Sequence, residues 1–289
     1  MNPDPNKLIA FQGELGANGD LACRAVRSDM KTLPCHTFED TFAAVREKSA
    51  KYSLIPIDNS VAGRVADIHH LLPDSGLHII GEHFQRVEHH LLAVKGTKIE
   101  ELTHVQSHVH ALNQCRNIIQ ELGLKAIVHV DTAGAARDIS ERGEKKHAAI
   151  ASELAGEIYG LDSLRGNIED AQHNTTRFLL MSRDALDLGP DDGDIMTSFV
   201  FRVRNVPAAL YKALGGFATN GVNMVKLESY LVGGGFVAAQ FYAEVDGHPE
   251  GESLRFALEE LSFFTHEVRI MGVYLRNPMR GVLNKSVAE

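Results

Sequence analysis

Apolar and polar positions along this chain follow two different rhythms, one on each side of a polar stretch. In the first, an apolar run at 8–11 meets glycines at 13, 16 and 19, and an amphipathic stretch follows from Asp20. That order predicts strand, loop, helix. The alternation returns at 52–57 then 65–72, at 103–106 then 111–122, and at 126–130 then 133–139. Strands interleaved with helices predict mostly parallel sheets with helices on their faces. The helix after Ser107 carries Ala111, Leu112, Cys115, Ile118, Ile119 and Leu122, the stripe of a core-facing element. Asp131 before Thr132, and Ser152 before Glu153, suit helix N-caps. Loops of this kind leave free N–H donors at the carboxyl ends of strands, where α/β proteins bind ligands.

The rhythm breaks where Asp, Gly and Pro become dense between Arg183 and Asp194, so residues 184–195 are expected to be a linker. Beyond it come a strand at 198–204, Pro207 opening a helix with Leu210, Leu214 and Phe217, and a strand at 222–230. Gly233, Gly234 and Gly235 predict a hairpin turn into Val237, Ala239, Phe241, Ala243 and Val245, which keep a strict period of two. A helix with Leu254, Ala257, Leu258, Leu261 and Phe264 and a strand at 268–275 complete a βαββαβ order, the ferredoxin-like plan. The expected boundaries are a first domain at 1–183, the linker, a second domain at 196–277 and a loosely ordered tail at 278–289.

Composition narrows the partners. At 289 residues, 44% apolar and 23% charged, the chain is long enough for two domains. Its 29 basic against 38 acidic side chains give a charge of -9, which argues against nucleic acid and anionic membranes. An anionic ligand would be met locally, by a few cations and by N–H groups at helix starts. The first thirty or so residues hold no secretory pattern and no stretch approaches the ~18 apolar residues of a membrane span, so a cytoplasmic protein is expected. Cys23, Cys35 and Cys115 lack paired spacing and are expected to be buried thiols. The adjacent histidines at 69–70 and 89–90 and the pair His108 and His110 do not share helix faces or meet a carboxylate set, so no metal is expected.

Three polar runs are candidates for chemistry. Asp58, Asn59 and Ser60 leave a strand, Asp131 to Ala136 opens a helix, and Asn174, Thr175, Thr176, Arg177 and Phe178 precede a final apolar strand at 179–181. Each taken singly is also explained by turn or cap chemistry. The glycines at 13, 16 and 19 match neither a dinucleotide fingerprint nor a P-loop, so no cofactor is expected.

Taken together, the glycine loop, Pro-Ile-Asp-Asn-Ser at 56–60, Ser107-His108 with Gln114-Cys115, Asp131 to Ala136, and Ile168-Glu169-Asp170 leading to Thr176-Arg177-Phe178 resemble the prephenate dehydratase family. The resemblance implies a two-lobed α/β catalytic domain like that of periplasmic binding proteins, followed by a ferredoxin-like ACT domain that senses L-phenylalanine. It implies Thr176 as the catalytic residue, Asn59, Ser60, Ser107, Gln114 and Thr132 as lining the substrate pocket, and Arg177 and Phe178 as its support. It also implies effector contacts at Asn205, Ala208, Ala209, Leu210, Glu228 and Ser229, in a homodimer or homotetramer. The sequence departs from the family at Asp58, where Glu is usual, and at Val109 and His110, which replace Pro-Gln. Tyr230 and Leu231 stand for Arg-Pro in the effector motif, and Ala208 stands for Gly.

The implied reaction removes carbon dioxide and a ring hydroxyl from prephenate as the ring becomes aromatic. Hydroxide leaves poorly, so a donor must reach the departing oxygen; Thr176 is expected to supply it, with Arg177 and loop N–H groups holding the carboxylates. Arogenate dehydratase, acting on the aminated analogue, is the alternative enzyme. A non-catalytic small-anion or amino-acid binding protein is the alternative outside enzymology, since such two-lobed bodies also serve as receptors. No helical segment precedes Leu8, so a fused chorismate mutase is not expected.

Overall fold

The computed structural model describes residues 4–204, 206–231 and 238–288. The chain opens with β1 (Leu8–Gln12), α1 (Asn18–Val26), β2 (Lys31–Cys35), α2 (Phe38–Arg46), β3 (Tyr52–Asn59), β4 (Gly63–Arg64), α3 (Ala66–Leu71) and β5 (His78–Arg86). There follow β6 (His90–Ala93), β7 (His104–His108), α4 (Val109–Gln114), α5 (Arg116–Glu121), β8 (Lys125–His129), α6 (Thr132–Arg142), β9 (His147–Ala151), α7 (Glu153–Tyr159) and β10 (Asp162–Arg165). One sheet has the order β2-β1-β3-β11-β5, where β11 is Thr175–Ser182, and β4 hangs on β3; the next runs β10-β6-β9-β7-β8. The β1 pairs and the β7 pairs are parallel, as the interleaved helices required.

Three helices begin where the sequence supplies an oxygen acceptor. Thr37, Asp131 and Ser152 accept the N–H of Asp40, Gly134 and Ala155 and so cap α2, α6 and α7. Gly143 and Gly160 end α6 and α7 in left-handed geometry, which costs glycine nothing. The expected helix at 111–122 is broken at Cys115 into α4 and α5. A residue distant in sequence makes the break: Asp170 caps α5 through the N–H groups of Arg116 and Asn117, and its own N–H meets the carbonyl of Gln114. Of the three thiols, Cys23 and Cys115 are buried, but Cys35 is only half-buried.

The last elements are β12 (Ile195–Val203), α8 (Ala209–Thr219), β13 (Met224–Leu231), β14 (Ala238–Asp246), α9 (Glu252–Phe264), β15 (Thr265–Leu275) and α10 (Met279–Ala288). They give the expected βαββαβ order, in an antiparallel sheet β13-β14-β12-β15. Phe199, Phe201, Phe217, Phe241, Leu254 and Leu261 form the core on the helical face of that sheet. The expected glycine hairpin at 233–235 lies outside the described residues.

Compactness divides the chain differently from the linker. One unit is Met1–Val65 with His83–Phe178; the other is Ala66–Glu82 with Leu179–Glu289. The division between these units falls within β11, and the C-terminal unit includes an early segment of chain. Within that unit the segment is built in. A Cβ on Gly272 would collide with the backbone oxygen of Ile79, so β15 and the early segment touch backbone to backbone. The tail expected to be loose contains α10 instead. Its Arg280 bonds both oxygens of Glu82, at 2.8 and 3.0 Å from Nε, and its Nη2 bonds Glu82 and Glu244 at 2.8 and 2.7 Å. Glu244 also accepts from Tyr242, which bonds Ser198, which meets Tyr274. No composition signal in a short basic tail could reveal a guanidinium committed to two buried carboxylates.

Candidate active site

Strands β3 and β11 are neighbours, and their polar ends meet. Side chains alternate between faces along a strand, so Asn59 and Thr176 share one face while Asp58 and Arg177 share the other. On the first face, the Asn59 side-chain amide donates to Thr176 Oγ1 at 3.0 Å and to Asn174 Oδ1 at 2.8 Å. On the second, Arg177 Nη1 lies 3.4 Å from Asp58 Oδ2, and the arginine side chain is 7% exposed. The strand points the Arg177 guanidinium to the face away from Thr176, into a pair with Asp58. Phe178, on the face of Thr176, is buried beneath it.

The orientation of Asn59 follows from donors that have no choice. Its Oδ1 accepts the backbone N–H of Val61 at 2.9 Å and of Ala62 at 2.7 Å, so its nitrogen must face Thr176 and Asn174. Thr176 Oγ1 therefore accepts from Asn59, and its own proton is left to point outward. Asn174 in turn donates to Gln114 Oε1 at 2.9 Å, and the same oxygen lies 3.0 Å from His89 Nε2. His89 is buried; burial pushes its pKa below the ordinary value, partly opposed by the Gln114 contact and by the Glu169 carboxylate, so the ring is neutral at pH 7. Glu169 accepts the His89 backbone N–H at 3.0 Å.

The other expected residues divide. Ser60 clamps the loop before β11: its hydroxyl donates to His173 O at 2.7 Å and accepts the Thr175 N–H at 2.9 Å. Ser107 is fully buried and donates to the Ile150 carbonyl, which gives its hydroxyl a partner inside the sheet. Thr132 is the first residue of α6 and is half-buried. Asn59, Gln114 and Thr176 are thus joined by hydrogen bonds through Asn59 and Asn174, while Ser107 bonds Ile150 and Arg177 pairs with Asp58. Asn174 and His89 belong to the group as well. Asn174 stands in the polar run; in sequence His89 offers only its neighbour His90, and its partner Gln114 lies 25 residues on.

In the C-terminal unit, Ala208 precedes α8 with φ 61°, ψ 16°, and Ala209 and Leu210 open that helix. Glu228 on β13 lies 3.3 Å from Lys226 Nζ, and Ser229 follows it. Tyr230 is buried, which pushes its pKa up to about 12, and it lines a cavity of about 280 Å³ with Arg202, Gln240, Glu267 and Arg269. Asn205 lies outside the described residues. Among the described residues no helix is long and apolar enough to cross a membrane.

A family model described as prephenate dehydratase matches residues 9–186. A relative from Komagataeibacter europaeus, named bifunctional N-acyl-homoserine lactone acylase/prephenate dehydratase, is 53% identical over 95% of this chain and 98% of its own. An Arabidopsis thaliana relative, named arogenate dehydratase/prephenate dehydratase 1, chloroplastic, is 36% identical over 94% of this chain and 72% of its own. Among solved structures, a prephenate dehydratase from Arthrobacter aurescens in complex with L-Phe superposes with a TM-score of 0.84 at 27% identity, covering 97% of both chains.

Proposed function

Because this chain belongs to the prephenate dehydratase family, we infer that Thr176 is the residue that donates to the hydroxyl leaving prephenate. The reaction converts the prephenate dianion, with uptake of one proton, into phenylpyruvate, carbon dioxide and water. Aromatisation supplies the driving force, and the barrier is the poor leaving group. A threonine hydroxyl is far too weak an acid to act as a free acid, so it acts as a hydrogen-bond donor to the developing charge. The observation that carries this reading is the Asn59 bond to Thr176 Oγ1. An N–H bonded to the oxygen occupies a lone pair, points the hydroxyl proton away and strengthens it as a donor.

With Arg177 committed to Asp58, the substrate carboxylates fall to neutral donors: Gln114, the hydroxyl of Thr132 and loop N–H groups. Ser60 and Ser107 act one step back, holding the strand ends that carry these donors. Replacing Thr176 by Val keeps the shape and removes the proton, and should lower turnover at least ~10²-fold. Near-normal turnover of Thr176→Val refutes the assignment.

The ferredoxin-like unit serves as an ACT domain in this reading, binding L-phenylalanine between two copies in a homodimer or homotetramer. The backbone of 208–210 would meet the ligand and Glu228 its ammonium. The L-Phe complex of the Arthrobacter protein supports it, and the Lys226 partner of Glu228 is a competitor the ammonium must displace. Calorimetry with L-phenylalanine tests it, and absence of binding removes it. A cytoplasmic location completes the proposal.

Relatives carry two further activities in their names, arogenate dehydration and lactone acylation. One assay with prephenate, arogenate and an N-acyl-homoserine lactone, following phenylpyruvate, phenylalanine and the free lactone amine, separates all three.

A further inference from the structure

We propose that His89 is a positioning residue whose Nε2–H, together with the Asn174 amide, locks the Gln114 carboxamide so that its NH2 group and not its oxygen is presented to the substrate. The inference rests on reading this site as that of a prephenate dehydratase. The constraint starts far from His89, at the N–H groups of Val61 and Ala62, which can only donate. They fix the Asn59 oxygen, which turns the Asn59 nitrogen toward Asn174 Oδ1. Asn174 must then offer its nitrogen to Gln114, so Gln114 offers its oxygen. The ring nitrogen 3.0 Å from that oxygen must carry the proton, and the tautomer of His89 is set as Nε2–H.

Two further observations agree. Nδ1 of His89 is buried without a hydrogen-bond partner among the described residues, as suits a bare lone pair and not an N–H. Burial also holds the ring neutral, so the second nitrogen is not forced to take a proton. With both bonds to its oxygen in place, the Gln114 nitrogen donates to no described residue, and Gln114 is only half-buried. Its two N–H groups are the free end of the chain, and Thr176 O–H is the other. An anionic substrate meets donors at both ends. A flipped Gln114 would show it an oxygen and would break both bonds at once.

The two ends have separable kinetic signatures. Gln114 contacts a carboxylate present before and during reaction, so loosening it raises KM; Thr176 meets charge that develops only in the transition state, so its loss lowers kcat. His89→Leu in the full chain should raise KM for prephenate roughly tenfold, the worth of about one hydrogen bond, with kcat within about threefold. His89→Gln restores a neutral N–H donor near the Nε2 position and should bring KM back to within about threefold of the parent. Nitrogen-15 NMR of histidine-labelled parent protein should show Nε2 protonated and Nδ1 bare at neutral pH. An unchanged KM in His89→Leu, no rescue by His89→Gln, or a proton on Nδ1 each overturns the proposal. Thr176→Val with full turnover overturns instead the reading of the site, and the tautomer measurement stands apart from both.

Discussion

Replacing Arg280 by Met should unfold the C-terminal unit more readily than almost any other single change on its surface. The Arg280 side chain is 13% exposed, and the side chains of Glu82 and Glu244 that it bonds are 0% exposed. Methionine keeps most of the apolar stem and deletes the charge, so packing is a minor part of the effect. What remains is two carboxylates in a dry setting without the cation bonded to both. Breaking a buried pair in this way costs about 3–5 kcal/mol, more than the pair would contribute against an apolar substitute. With a urea m-value of ~2 kcal/mol/M, the midpoint should fall by roughly 1.5–2.5 M. The chain has no tryptophan, so far-UV circular dichroism and the fluorescence of Tyr242 and Tyr274, which belong to the same cluster, are the probes. A triple variant, Glu82→Gln with Arg280→Met and Glu244→Gln, removes the charges together and should recover most of the loss. A shift under ~0.5 kcal/mol for the single change, far below the range for breaking a buried pair, refutes the reasoning. So does a triple variant as weak as the single one.

Three other outcomes follow from the backbone and the histidines. Ala208 sits in left-handed geometry at φ 61°, so Ala208→Gly should raise stability by about 0.5–1 kcal/mol; a loss on urea unfolding would contradict that geometry. Gly16 has φ +85°, and a Cβ there would lie 2.7 Å from Ala155 Cα, so Gly16→Ala should cost about 2 kcal/mol or more and weaken the junction with α7; unchanged melting would count against the close approach. Burial lowers the pKa of His83, His89 and His108 in the folded chain. The unfolded state then binds more protons, so stability should fall as pH drops below the ordinary histidine value of about 6.5. His89→Gln should flatten that slope, as urea midpoints at neutral pH and about one unit below 6.5 would show, and an equally steep slope would exclude His89 as a contributor.

Periodicity made the βαββαβ unit legible, because Phe199, Phe201, Phe241, Ala243 and Val245 each face one core at a spacing of two. Capping made helix starts legible at Asp131 and Ser152. What escaped was decided by partners far along the chain. The stripe from Ala111 to Leu122 runs on through Cys115 without a break, and only Asp170, more than fifty residues later, divides the helix and turns Gln114 toward Asn174. Arg177 follows Thr176 directly in sequence, yet strand alternation puts the two on opposite faces, and Arg177 shares its face with Asp58, one step before Asn59. The membership of residues 66–82 in the second unit has no local signal, since nothing in the sequence around Ile79 and Glu82 points to Gly272 and Arg280 as their neighbours.

Ribosomal synthesis gives that last arrangement a temporal meaning. Glu82 and Arg280 are 198 residues apart, and at about 5–20 residues per second the first waits roughly 10–40 s for the second to emerge. During that interval an acidic side chain destined for a dry interior stays in water, and the strand ends around it wait with it. The Glu82 contacts of the second unit therefore wait for α10, and a ribosome stalled before residue 280 would carry a second unit without them.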